Sequence, residues 1–297
     1  MNLFDFKEQG IFAMAALDHR RSLMKMLGSG GKRKMTEWKE EALGGLAGVA
    51  SGVLLDMEYG LPAYRKLKLN KPFLLAMEAS GWTGTENNRR TRLAHSAREI
   101  REAGAGGAKL LVYYNPAAKG AGEVKKTVAR AAEQCRREEI PFLLEVMTYK
   151  VDGREKKADL IIKSIKELET GKVDVWKLEF PGDAKTAAGR KKAAEACRKI
   201  TEVLGDRQWI LLSAGDDFNV FKRQVDVATA NGAAGFLAGR ALWKDFGKYK
   251  NRKKFFTGVT RRRLEQIKKI VVENKGGHTD VFSRSFGRSL WWKELWR

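Results

Sequence analysis

Eight short apolar runs, each followed by a longer amphipathic stretch, limit the fold of this 297-residue chain more than any other feature. The runs cover residues 11–17, 53–55, 73–77, 109–114, 141–146, 175–180, 209–212 and 235–238. The stretches between them predict helices over 36–50, 88–102, 123–138, 155–170, 187–204 and 217–230, with another after Arg240. A near-continuous apolar run is how a strand reads when both of its faces are buried. Helices between such strands give parallel βαβ units. Eight units in under 300 residues close into a single (β/α)8 TIM barrel of the α/β class more readily than they form an open sheet. An open doubly wound sheet would carry G-x-G-x-x-G after its first strand, where Asp18-His19-Arg20 stands instead. The reading is one barrel domain over 1–243 and a basic C-terminal helical extension over 244–297 that packs on it. A helix is expected over 259–272, because Leu264, Ile267, Ile270 and Val271 keep helical spacing.

Composition excludes several classes. At 43% hydrophobic the chain can bury a sizeable core. Two cysteines, Cys135 and Cys197, make no disulfide framework and no C-x-x-C metal pair. Three histidines make a His-rich metal centre unexpected, so neither metal nor cofactor is assigned. No run of 18 apolar residues suggests a membrane span, and MNLFDFKEQG lacks the apolar core of a secretory signal. A cytoplasmic enzyme is expected. Lys and Arg outnumber Asp and Glu by 58 to 36, a net +22, and residues 244–297 carry 16 basic against 5 acidic residues. Such a balance fits nucleic acid, an anionic membrane surface or an anionic substrate.

Side chains alternate along a strand, so in 175–180 Trp176, Leu178 and Phe180 face the helices while Val175, Lys177 and Glu179 face the lumen. Burial disfavours an ammonium, and the neutral amine it leaves is a nucleophile. The competing reading is a buried Lys177–Glu179 ion pair. Asp18 and Glu145 end the first and fifth strands, at the barrel face where such enzymes keep their chemistry. Lys109 stands nearer the start of the fourth. Two lysines and two carboxylates converging on one lumen favour the catalytic reading. Ser213-Ala214-Gly215 and Gly239-Arg240 follow the seventh and eighth strands. Small residues there let backbone N–H groups approach a phosphate.

Taken in order, these stretches resemble one family. They are Asp18-His19-Arg20, Val53 to Gly60 (VLLDMEYG), Leu74 to Glu78 (LLAME), Lys109 to Tyr114 (KLLVYY), Pro141 to Glu145 (PFLLE), Lys177 to Pro181 (KLEFP), Leu212 to Gly215 (LSAG) and Gly235 to Arg240 (GFLAGR). The chain is similar to class I aldolases of the tagatose-1,6-bisphosphate aldolase and sulfofructosephosphate aldolase family from about residue 10 to 245. The resemblance implies metal-free retro-aldol cleavage of a phosphorylated ketose to dihydroxyacetone phosphate. It makes Lys177 the Schiff-base lysine and Glu145 the acid/base, with Lys109 and Asp18 lining the site. Ser213, Gly215, Gly239 and Arg240 would hold one phosphate, and Arg20, with His19 beside it, the anion at the far end. It gives Asp56 and Glu58 no step. His19 replaces a typical Gln and Arg21 a common Gly, both where the substrate's far end would bind, so these two departures bear on substrate identity and not on the Schiff-base chemistry; Met57 replaces a frequent Pro and Asp216 an apolar residue.

Two other functions fit parts of the sequence. A phosphosugar isomerase or epimerase would use the phosphate site and carboxylates without Lys177 as nucleophile. A nucleic-acid-binding protein would use the charge together with Arg261-Arg262-Arg263, Lys268-Lys269 and the tail aromatics Phe282, Phe286, Trp291, Trp292 and Trp296. No nucleic-acid-binding motif accompanies that charge, and solvated basic faces with packed Trp residues are the plainer reading. The expected partners are therefore a phosphorylated ketose and a second copy of the chain, without a membrane or nucleic acid. His95 reads as a surface residue on a helix, His278 as a loop residue, and both cysteines as packed thiols.

Overall fold

The protein is described from a computed structural model that covers residues 3–28, 31–150 and 156–285. The strands are β1 (Phe12–Ala16), β2 (Val53–Leu55), β3 (Phe73–Ala76), a small pair β4 (Thr83–Thr85) and β5 (Asn88–Arg90), then β6 (Gly107–Tyr114), β7 (Phe142–Thr148), β8 (Val175–Leu178), β9 (Gln208–Leu212) and β10 (Gly235–Ala238). Eight of them close a parallel barrel in the order β1-β10-β9-β8-β7-β6-β3-β2. The helices are α1 (Arg21–Leu27), α2 (Gly31–Leu46), α3 (Gly60–Lys66), α4 (Ala97–Glu102), α5 (Ala121–Arg137), α6 (Lys157–Leu168), α7 (Ala187–Leu204), α8 (Phe218–Thr229), α9 (Arg240–Trp243), α10 (Arg252–Lys254) and α11 (Arg261–Ser285). No helix among the described residues is long and apolar enough to cross a membrane.

Strand alternation creates two cores. Outward residues such as Ala13, Leu55, Leu144, Trp176 and Leu211 pack with the helices in one large cluster. Inward residues Phe12, Met14, Leu54, Leu74, Leu143, Val175, Ile210 and Leu237 form a second cluster inside the barrel, joined by Phe6 from the turn at Leu3–Phe6. This apolar plug fills the N-terminal half of the lumen, so polar lumen residues can only stack above it, toward the C-terminal mouth.

Helix boundaries depart furthest from the sequence expectation at three places. The stretch expected as a helix over 88–102 opens with the antiparallel β4–β5 pair, and α4 begins only at Ala97. Gly84 makes the pair possible: at φ +93° it turns where a Cβ would sit 2.3 Å from the Asn88 carbonyl oxygen. Arg89 anchors the pair, its guanidinium 5.0 Å from the Trp82 and Tyr149 rings and 5.7 Å from Tyr113. The start of α4 was legible, since Ser96 and Glu99 form a reciprocal capping box. His95 therefore precedes the helix and is half-buried. The helix expected from 36 starts at Gly31, and Thr36 bonds the Lys32 carbonyl one turn back, as a mid-helix residue does. Position 278, expected in a loop, lies within α11.

Cys135 and Cys197 are free and buried, and burial raises both thiols to about 12. Beyond the barrel, a π-helical turn at Phe255–Thr260 leads into α11, which buries Leu264, Ile267 and Val271. Its cations are partly spent on the rest of the chain: Arg263 bonds Asp245 through two nitrogens and Lys268 pairs with Glu8, while Arg252 of α10 pairs with Glu41. Glu155, Phe286, Trp291, Trp292 and Trp296 lie outside the described residues, as does the Phe282 side chain.

Candidate active site

Period-two alternation places the polar lumen residues. Asp18 lies two residues beyond Ala16, Glu145 two beyond Leu143, Lys177 two beyond Val175 and Glu78 four beyond Leu74, each continuing an inward-facing row. Glu145 and Lys177 are direct register partners on β7 and β8. The Lys177 Nζ lies 2.9 Å from Glu145 Oε1. Lys109, the third residue of β6, starts lower, but its long side chain carries the ammonium up to three carboxylates. It lies 2.7 Å from Asp18 Oδ2 and 3.3 Å from Glu145 Oε2, and it also bonds Glu78. The four residues expected to converge do so, and Glu78 joins them. The sequence alone assigns Glu78 no role, although its parity with Leu74 is visible there. Glu78 also accepts the Leu111 N–H at 3.0 Å and an Arg20 N–H, through its carbonyl, at 2.6 Å.

The alternative Lys177–Glu179 pair does not form. Glu179 lies beyond the end of β8, where it accepts from the Thr148 N–H and hydroxyl and pairs with Lys157 at 3.0 Å.

The charges in this cluster are fixed by their neighbours. Burial alone would lower the Lys109 pKa, but Asp18, Glu78 and Glu145 raise it above the ordinary lysine range. Burial alone would raise Asp18, but the Lys109 ammonium holds it well below the carboxylate range. His19 behaves oppositely. Burial, aided by Arg240, Lys39 and Lys177 and opposed by Asp18, lowers it to about 3, so the imidazole is neutral at pH 7. It packs edge-on against Trp243 at 4.9 Å between centroids and against Gly239, where a Cβ would sit 2.6 Å from its Cε1.

A second buried pair was not foreseen. Lys39 of α2 reaches Asp56 Oδ1 at 2.7 Å, and neither side chain is exposed to solvent. Its ammonium also donates to the carbonyls of Leu17 and His19. Asp56 Oδ2 accepts the Tyr59 N–H at 2.7 Å, at the start of α3. Lys39 falls among the polar residues of an amphipathic helix, and nothing local in the sequence marks it as buried.

Above the cluster opens a cavity of about 500 Å³ lined by Asp18, Glu145, Lys177 and both expected anion-binding groups. On one wall the turns after β9 and β10 are tied together: Ser213 Oγ accepts the Gly239 N–H at 3.2 Å. Gly215 has φ +85°, and a Cβ there would lie 3.1 Å from Arg240 Cζ, so its lack of a side chain lets the guanidinium lie over the turn. Arg20, Arg21 and Lys25, which follow β1, also line the cavity. The buried Nε of Arg20 has no hydrogen-bond partner. Among the described residues, no group of three His, Cys, Asp or Glu side chains could hold a metal ion.

This fold and site define a class of protein: a (β/α)8 barrel enzyme that sets a buried lysine amine beside carboxylates under a mouth lined with arginines. The DeoC/LacD family of aldolases matches residues 12–245, and the chain belongs to that family. It is thus an aldolase, a lyase of the metal-independent class I type. It is 33% identical over 264 residues, 79% of this chain and 80% of the relative, to tagatose 1,6-diphosphate aldolase 2 of Streptococcus pyogenes serotype M3. It is 32% identical over 266 residues, 80% of this chain and 79% of the relative, to tagatose 1,6-diphosphate aldolase of Listeria monocytogenes serotype 4a. The fold is similar to a fructose-bisphosphate aldolase from Plasmodium falciparum, with a TM-score of 0.65 and 15% identity over 89% of this chain and 90% of that one. A Schiff-base-forming fructose-1,6-bisphosphate aldolase gives 0.57 and 15% over 86% and 94%.

Proposed function

We propose that this chain cleaves a ketose 1,6-bisphosphate, or 6-deoxy-6-sulfofructose 1-phosphate, to dihydroxyacetone phosphate and a three-carbon aldehyde through an imine on Lys177. The observation that carries the reading is the 2.9 Å contact between Lys177 Nζ and Glu145 Oε1 at the floor of the cavity. Glu145 takes a proton from the amine, and neutral Lys177 attacks the C2 carbonyl to give a carbinolamine. Glu145 returns the proton to the departing hydroxyl, water leaves, and the iminium forms. A base takes the C4 hydroxyl proton. Glu145 is favoured and Asp18 is second. The C3–C4 bond breaks, its electrons pass to the iminium nitrogen, and the aldehyde departs. Protonation of the enamine at C3 and hydrolysis release dihydroxyacetone phosphate and free Lys177. Lys109, held as an ammonium, keeps Asp18 ionised and orients Glu145 through its second oxygen.

Substrate class rests on the two groups of cations that line the cavity. Ser213, Gly215, Gly239 and Arg240 hold the phosphate on the dihydroxyacetone half. Arg20, whose buried Nε lacks a protein partner, binds the far anion with Arg21 and Lys25. A panel of tagatose 1,6-bisphosphate, fructose 1,6-bisphosphate and sulfofructose 1-phosphate, with coupled detection of dihydroxyacetone phosphate, tests this. At least one should give product. Isomerisation of a phosphosugar without dihydroxyacetone phosphate from any of the three would overturn the reading.

A further inference from the structure

We propose that Lys39 is a positioning residue: clamped by Asp56, it fixes the backbone on both sides of Asp18 and thereby the geometry in which Asp18 and His19 meet the substrate. The inference rests on the aldolase reading above. The Lys39 Nζ has three acceptors, Asp56 Oδ1 and the carbonyls of Leu17 and His19. Three acceptors require three N–H donors, which only the charged ammonium has. Two of the three are the peptide oxygens directly flanking Asp18. The barrel ladder runs out there: β1 ends at Ala16, and residues 17–20 belong to no helix or strand. The last backbone bond to the neighbouring strand is from the Leu17 N–H to the Leu54 carbonyl.

Asp56 completes the clamp. With one oxygen on Lys39 and the other on the Tyr59 N–H, its carboxylate is fixed against the start of α3. A wholly buried ion pair is a poor device for stability, since apolar residues of similar volume often serve as well or better. This pair is set on the loop that carries Asp18, which a packing role does not explain. β1 stands three strands from β8 around the barrel. A disturbed clamp should therefore impair turnover by shifting how the ketose lies against Asp18 and His19, while leaving imine formation by Lys177 and Glu145 intact.

The double variant Lys39→Met/Asp56→Leu removes the pair without leaving a lone buried charge. It should keep a thermal midpoint near that of the wild type, lose about 10²-fold in turnover, the scale of a 1 Å misplacement, and still trap dihydroxyacetone phosphate on Lys177 with borohydride at the wild-type rate. Should the double variant fail to fold, Asp56→Asn, which keeps the side chain's shape, should give the same split between turnover and trapping. A folded variant with wild-type turnover overturns the proposal, and so does a parallel fall in turnover and trapping. A wild-type enzyme that traps nothing overturns the aldolase reading itself, an outcome distinct from either.

Discussion

Glu145 and Lys177 face each other across the β7–β8 ladder as register partners, and the second oxygen of Glu145 lies 3.3 Å from Lys109. One carboxylate therefore stands between two amines, one free to react and one tied to Asp18 and Glu78. Glu145→Gln keeps the shape and removes the proton acceptor. Turnover should fall by about 10²–10⁴, the usual contribution of acid–base catalysis. Single-turnover kinetics should place the loss in imine formation. An unchanged rate would mean that another group moves the proton.

His19 sets a pH dependence of stability. In the unfolded chain it titrates near 6.5 and in the folded protein at about 3. Between these values the unfolded chain binds a proton that the native protein does not. Stability is then full above pH 6.5 and falls as pH is lowered, at about 1.4 kcal/mol per unit. The urea midpoint of the wild type should drop between pH 6.5 and about 4.5, and His19→Gln should flatten that slope. Equal slopes in the two proteins would contradict a neutral, buried His19.

Arg240 lies over the turn at Ala214 and Gly215, with a nitrogen 3.5 Å from the Ala214 carbonyl. If it holds the substrate phosphate, Arg240→Ala removes charge-assisted bonds of about 1.5–3 kcal/mol, roughly 10- to 100-fold in kcat/KM. The effect should appear mainly in KM and shrink at high salt. A loss in kcat with KM unchanged would assign Arg240 a different role.

Chelation gives a simpler check. The imine, rather than a metal ion, is the electron sink, so activity should survive prolonged treatment with EDTA. Loss of activity that zinc or another divalent ion restores would defeat the mechanism.

The sequence carried the barrel and most of the cluster because both follow from short-range rules. Apolar runs locate the strands, and period two then sends Asp18, Glu145 and Lys177 inward. Glu78 obeyed the same parity and was legible without being used. Lys39 was not: its burial depends on α2 packing over the end of β1, a tertiary relation with no local signature. The β4–β5 pair was hidden for a similar reason. Arg89 reads as a helix former until Trp82, Tyr113 and Tyr149 come together around it.

The central claim is that the Lys177 amine forms a covalent imine with the ketose. Incubation with dihydroxyacetone phosphate and borohydride, followed by peptide mass spectrometry, addresses it directly. The account predicts one reduced adduct, located on Lys177, and none in Lys177→Met. An adduct on another lysine, or turnover of the ketose with no adduct at all, would contradict it.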